Sequence, residues 1–149
     1  MKKYRVLLVD DEPEIRDCLQ VLATKSDLEF DQAPDGRAAL DMILSTDYDC
    51  VVSDIKMPRM SGIEMLKALR HKGKDVPVVF ISAFATEDFA KEVCDYGAVK
   101  LLHKLEILKV RERIQEAIDF KAELQAIKKN ADPMGDEFIQ IFHKTGTGR

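Results

Sequence analysis

Three short apolar runs each end on a side chain able to do chemistry. Val6-Leu7-Leu8-Val9 leads into Asp10-Asp11, Cys50-Val51-Val52-Ser53 into Asp54, and Val78-Val79-Phe80-Ile81 into Ser82. A fourth, weaker run from Val99 to Leu102 passes through His103 to Lys104. In a parallel sheet, ligands gather outside the carboxyl ends of the strands. Runs of this kind bring three carboxylates, a hydroxyl and an ammonium to one edge. Carboxylates held that close resist joint ionisation, and a hard divalent cation removes the resistance. Magnesium takes one or two carboxylates and leaves its other positions to water and phosphate oxygens. Attack of the Asp54 carboxylate on a phosphoryl group there fits covalent catalysis through an aspartyl phosphate. Ser82 can hydrogen-bond a phosphoryl oxygen, and Lys104 can pair with it as a point charge. Singly these residues are ordinary turn formers, caps and surface groups. Their joint placement at successive strand ends is what indicates a phosphoryl site.

The segments that must position these groups alternate between strand-like and helix-like patterns, as in an α/β domain with a parallel sheet. Strands are predicted over 4–9, 28–32, 50–53, 78–82 and 99–103. The first, third and fourth are nearly all apolar, as expected for strands covered on both faces. The second alternates apolar and polar residues like an edge strand. Five helices lie between and after them. The first starts near Pro13, whose missing N–H costs nothing in a first turn, and turns Ile15, Cys18, Leu19 and Leu22 inward. The second follows Asp35-Gly36 and uses Ala39, Leu40, Ile43 and Leu44. The third opens with a Ser61/Glu64 capping box and buries Ile63, Leu66 and Leu69. The fourth runs from about Thr86 to Tyr96 and stops at Gly97, a left-handed C-terminal residue. The fifth begins near Ile107, faces the core through Val110, Ile114, Ala117 and Ile118, and continues to a stop at Asn130 and Pro133. Phe120, Leu124 and Ile127 are predicted to form an exposed apolar stripe on that overshoot. Residues 135–142 have the pattern of one short amphipathic turn, and the last residues read as flexible.

Bulk properties narrow the classes. A chain of 149 residues with 46% hydrophobic and 34% charged residues supports one domain with one core. A net charge of −4 argues against a dedicated nucleic-acid binder. The N-terminus lacks the pattern of a signal peptide, and no apolar stretch approaches the roughly 20 residues that span a bilayer. Three cysteines without Cys-x-x-Cys spacing disfavour a disulfide framework and a zinc site. Cys18 and Cys50 read as buried thiols, and the expected location is the cytoplasm.

At residues 6–13 (VLLVDDEP), 54–62 (DIKMPRMSG), 81–83 (ISA) and Gly97-Ala98 leading to Lys104, the chain resembles the receiver domain of two-component response regulators, chemotaxis-regulator-like, over about residues 3–120. The resemblance implies a doubly wound five-stranded parallel sheet in the flavodoxin-like order 2-1-3-4-5, with five helices, the last extended. It implies that Asp54 accepts a phosphoryl group from a phosphohistidine on a sensor histidine kinase or histidine phosphotransfer protein. It implies that Asp10, Asp11, Asp54 and the backbone carbonyl of Lys56 bind Mg2+ or Mn2+. Ser82, Ala83 and Lys104 would contact the phosphoryl group and shift the domain between conformations. Lys56 and Phe84 occupy positions that tune hydrolysis of the acyl phosphate. Such a domain catalyses its own phosphotransfer and dephosphorylation and is not a turnover enzyme on free substrates.

The tail and the competing functions can be weighed in the same way. Residues 121–149 carry five Lys and Arg and four Asp and Glu, which is no footprint for DNA. The expected organisation is a receiver over 1–120, then an extended helix and short tail over 121–149 without a separate output domain. Output would run through a downstream protein target, an output domain, or a homodimer formed by the fourth-helix, fifth-strand and fifth-helix face or by the extended helix. An aspartyl-phosphate phosphatase would carry an acid two residues after its nucleophile, where this chain has Lys56. A scaffold that has lost phosphorylation is a third reading. His71, His103 and His143 lack the helical companions of a phosphodonor histidine.

Two departures from the family pattern bear on output. Leu105 stands where proline usually follows the lysine, so a trans or rebuilt loop is expected, since a cis bond to a non-proline residue costs roughly 3 kcal/mol. Leu101 stands where an aromatic residue usually swings inward on activation. The expected consequence is weaker coupling to the face formed by the fourth helix, fifth strand and fifth helix. On adding a phosphoryl mimic, chemical-shift changes on that face should be smaller than in an aromatic-switch homologue; comparable changes refute this.

Overall fold

The computed structural model describes residues 2–83, 87–97 and 99–130. The apolar runs form β1 (Tyr4–Val9), β3 (Cys50–Asp54), β4 (Val78–Ser82) and β5 (Val99–His103), and the alternating run forms β2 (Leu28–Ala33). All five are parallel, in the order β2-β1-β3-β4-β5. This is the expected doubly wound arrangement. β2 pairs only with β1 and is an edge, which explains its half-buried middle.

Helices cover both faces. Leu7, Val9, Val51, Val78 and Phe80 point to the face packed by α2 (Gly36–Ser45), α3 (Gly62–His71) and α4 (Glu87–Cys94). Val6, Leu8, Val52, Val79 and Ile81 point to the other face, covered by α1 (Pro13–Ala23) and α5 (Val110–Asn130). This alternation along each strand, buried on both sides, is why the central strands read as continuous apolar runs.

Several local expectations are corrected. Cys18 is exposed: the buried line of α1 runs through Leu19 and Ala23, and one residue of helix turns Cys18 about 100° away from Leu19. Leu44 is also exposed, and Met65 replaces Ile63 as a fully buried residue of α3. The capping box at Ser61 and Glu64 is present. Gly97 has φ 62°, in the left-handed region expected after α4. Before α5, residues Lys104–Lys109 form a 3-10 helix, so the α-helix proper starts at Val110 and not near Ile107. His103 Nδ1 accepts the Leu105 N–H at 3.0 Å and caps that turn. Proline at 105 would have no such donor. No cis peptide bond occurs among the described residues, as expected for the step from Lys104 to Leu105. The expected start of the fourth helix at Thr86, the turn at 135–142 and His143 lie outside the described residues.

The overshoot of α5 is the main correction. Leu124 is 6% exposed, so it does not belong to an exposed stripe. The last turns of the helix reach the segments that lead into β3 and β4. Lys121 Nζ donates to the Tyr48 carbonyl at 2.8 Å and lies 3.5 Å from the Asp49 carboxylate, just before β3. Lys128 reaches Asp75, just before β4, at 3.0 Å. Replacing Leu124 with alanine is expected to cost about 2–3 kcal/mol, at the low end for buried leucine. Ile127→Ala, at an exposed position, should stay within about 0.5 kcal/mol. Urea midpoints at constant slope measure both.

Candidate functional site

Each strand end delivers its group because hydrophobic burial fixes the strand behind it. Val6 to Val9 are 0% exposed, and Asp10 follows immediately at the carboxyl edge. Asp54 is the last residue of β3 and Ser82 the last of β4, while Lys104 follows β5 directly. Register pairs Val9 with Ser53, Asp54 with Ile81, and Ser82 with His103, so these groups share one edge.

Asp10, Asp11 and Asp54 converge: one ligand oxygen from each lies within 4.8 Å of the others. Asp10 is buried, Asp54 half-buried and Asp11 exposed. Backbone donors orient the two inner acids. The Glu12 N–H donates to Asp10 Oδ1 at 2.9 Å, and the Ile55 N–H donates to Asp54 Oδ1 at 2.7 Å. The second bond engages Asp54 through Oδ1 and does not involve Oδ2. Arg16 donates to the Asp10 carbonyl at 2.6 Å and to the Gln32 side chain at 3.0 Å, which ties the β1–α1 turn to β2. Behind Asp54, a Cβ on Gly62 would collide with the Asp54 carbonyl oxygen and the Phe80 ring, so only glycine lets α3 start this close.

Burial is the main cause that pushes the Asp10 carboxyl up to about 6. The Glu12 N–H pulls it down, the Asp54 and Asp11 charges push it up, and the Lys104 ammonium pulls it down. The Lys104 charge thus lies within electrostatic reach of Asp10. Three hard oxygen donors with unrelieved repulsion suit a hard divalent cation, so the residues present fit such an ion.

Of the other expected site residues, Ser82 is buried at 7% exposure, and Ala83 and Lys56 are exposed. Leu101 is half-buried and packs beside Phe80 on the α2–α4 face. Phe84 lies outside the described residues. Sequence reasoning missed the orienting backbone donors of Glu12 and Ile55. It also missed Arg16, whose spacing from Asp10 carried no signal because its partner is a carbonyl.

Fold and acid cluster together define a flavodoxin-like α/β domain with an acidic site at the carboxyl edge of its sheet. The chain belongs to the response regulator receiver domain family, whose model matches residues 6–129 and so includes most of the α5 overshoot. It is a signalling domain of two-component systems. Response regulator MprA of Mycolicibacterium vanbaalenii is 39% identical over 79 residues, 53% of this chain and 34% of that protein. The chain therefore spans about a third of that relative's length. Sporulation initiation phosphotransferase F of Bacillus subtilis is 29% identical, over 82% of this chain and 99% of its own length. Among solved structures, response regulator TrrA from Thermotoga maritima, in complex with Mg2+–BeF, aligns with TM-score 0.67 and 30% identity, covering 78% of this chain and 99% of that one. No described helix is long and apolar enough to cross a membrane.

The raised Asp10 pKa makes stability depend on pH. Between its ordinary value of 3.8 and about 6, the folded state keeps a proton that the unfolded state has released. Metal-free stability therefore falls as pH rises through that window, by at most about 3 kcal/mol. Asp10→Asn should be more stable than the parent near neutral pH without divalent metal, and the advantage should vanish below pH 3.8. Urea denaturation at both ends of the window measures it.

Proposed function

We propose that the domain accepts a phosphoryl group on Asp54 from a phosphohistidine of a sensor histidine kinase or histidine phosphotransfer protein. The observation that carries this is the convergence of three carboxylates within 4.8 Å beside a buried Ser82 and the Lys104 charge. Asp10, Asp11, Asp54 and the backbone carbonyl of Lys56 would hold Mg2+ or Mn2+, consistent with the magnesium in the TrrA complex. Such an ion supplies neutralisation of charge on the transferring phosphoryl oxygens.

The remaining steps belong to the chain. With Oδ1 engaged by the Ile55 N–H, Asp54 Oδ2 forms the new bond to phosphorus. The P–N bond to the partner's imidazole breaks, and its electron pair leaves with the ring nitrogen. Lys104 then pairs with a phosphoryl oxygen, and the Ser82 hydroxyl, with Ala83 beside it, hydrogen-bonds another. Lys56 and Phe84 flank the group and set how readily water reaches it. The movement of Ser82 and Lys104 towards the phosphoryl group shifts the population of domain conformations, with Leu101 limiting how far the change spreads.

Output passes to a downstream protein target or an output domain. We place the domain itself at residues 1–130, since α5 beyond 120 packs through Leu124 and Lys121. Residues 131–149 follow it.

Incubation with acetyl phosphate and magnesium, read by intact mass, tests the assignment. One phosphate adduct is expected, absent in Asp54→Asn. No adduct supports a scaffold, and multiple turnover of acetyl phosphate without an Asp54-dependent adduct supports a phosphatase.

A further inference from the structure

The loop from β3 to α3, residues 55–61, contains Lys56 and is held at two places. Near its start, the Gly62 N–H donates to the Ile55 carbonyl at 2.8 Å. Its far half is held from α2, an element that contributes no group to the acid cluster. The Gly36 N–H donates to the Met60 carbonyl at 3.2 Å. One residue earlier, Arg59 Nη1 lies 3.4 Å from Asp35 Oδ2. Asp35 is 3% exposed, and its other oxygen caps α2 by accepting the Ala38 N–H at 2.8 Å. A buried carboxylate thus faces in two directions, to its own helix and to the loop.

The contact is close and strained. A Cβ on Gly36 would collide with the Met60 carbonyl oxygen, so only glycine permits this approach. Arg59 has φ 67° and is the one non-glycine residue with positive φ among the described residues. A bulky side chain in the left-handed region costs about 1–2 kcal/mol. Glycine would remove that cost, but glycine has no guanidinium to reach Asp35. Strain of this kind persists when the surroundings over-determine it and commonly marks a functional constraint.

We propose that Asp35, Gly36, Arg59 and Met60 form a clamp that positions the β3–α3 loop, and with it Lys56, for binding a divalent cation at the acid cluster. The clamp residues touch neither cation nor phosphoryl group; they are positioning residues. The inference rests on the cation site proposed above and adds the residues that hold its backbone ligand in place. Outer groups that orient a ligand typically alter metal affinity by 10–100-fold when removed. A single carbonyl ligand held by two tethers places the loss of one tether near the lower end.

Two variants of the full chain separate positioning from plain structural support. Arg59→Gly relieves the positive φ, so urea stability should hold or rise, while the tether to Asp35 is lost. Asp35→Asn keeps a side-chain oxygen to cap α2 but removes the charge that Arg59 meets. Magnesium affinity, read by titrating the Asp10 and Asp11 amide shifts, should weaken by roughly tenfold in Arg59→Gly and by a smaller factor in Asp35→Asn. Arg59→Lys, which retains the cation, should stay close to the parent. Affinity within a factor of two in both Arg59→Gly and Asp35→Asn overturns the clamp, and so does a fall in the stability of Arg59→Gly. A parent chain that binds no magnesium overturns the cation site itself, a result distinct from either.

Discussion

Mutual repulsion of three carboxylates at one sheet edge is the constraint that the rest of the structure serves. Left to themselves, Asp10, Asp11 and Asp54 would move apart, and burial of Asp10 makes its charge dearer still. The cost at Asp10 is at most about 3 kcal/mol. Full burial of a single leucine or valine side chain contributes about 1.5–3 kcal/mol. Val6 to Val9 and Cys50 to Val52 are all 0% exposed, so the two central strands hold the acids in place with a wide margin. The site can be electrostatically strained because the strands behind it cannot give way.

The two ends of the sheet consequently do different work. The carboxyl edge concentrates charge, with Asp10 and Ser82 buried and Asp11 exposed. The amino edge is a region of ties. Lys121 fastens α5 to the approach of β3, and Lys128 fastens it to the approach of β4. Nearby, the Arg70 guanidinium donates to the carbonyls of Tyr96, Lys74 and Gly97 at 2.6, 2.8 and 3.1 Å. Burial lowers its pKa to about 10, which still leaves it protonated at neutral pH. One side chain thereby joins the end of α3 to the turns that lead into β4 and β5. The amino edge is thus anchored by ties between segments remote in the chain.

Legibility in the sequence followed the range of each interaction. The strands and the acid cluster were readable because both depend on local order: an apolar run, then an acid, with sheet pairing supplying the rest. The capping box at Ser61 and the left-handed Gly97 were readable for the same reason. Cys18 and Leu44 were misjudged because each sits at the margin of a helical stripe, where a rotation set by the neighbouring sheet decides burial. His103 offered no helical companions, and its capping of the turn after β5 depends on a loop geometry that the residue types do not specify.

By itself, the sequence determined the α/β class, the strands and the identity of the acids, because periodicity and strand-end position need only near neighbours along the chain. The tertiary structure alone decided three further matters. It turned the α5 overshoot inward through Leu124, where the sequence pattern suggested an exposed stripe. It raised the Asp10 pKa, since burial and neighbouring charges exist only once the strands have assembled. And it brought Asp35 to Arg59, 24 residues away, across a glycine contact too tight for any other residue. Each of these depends on distances between segments remote in the chain, and packing, not residue type, sets those distances.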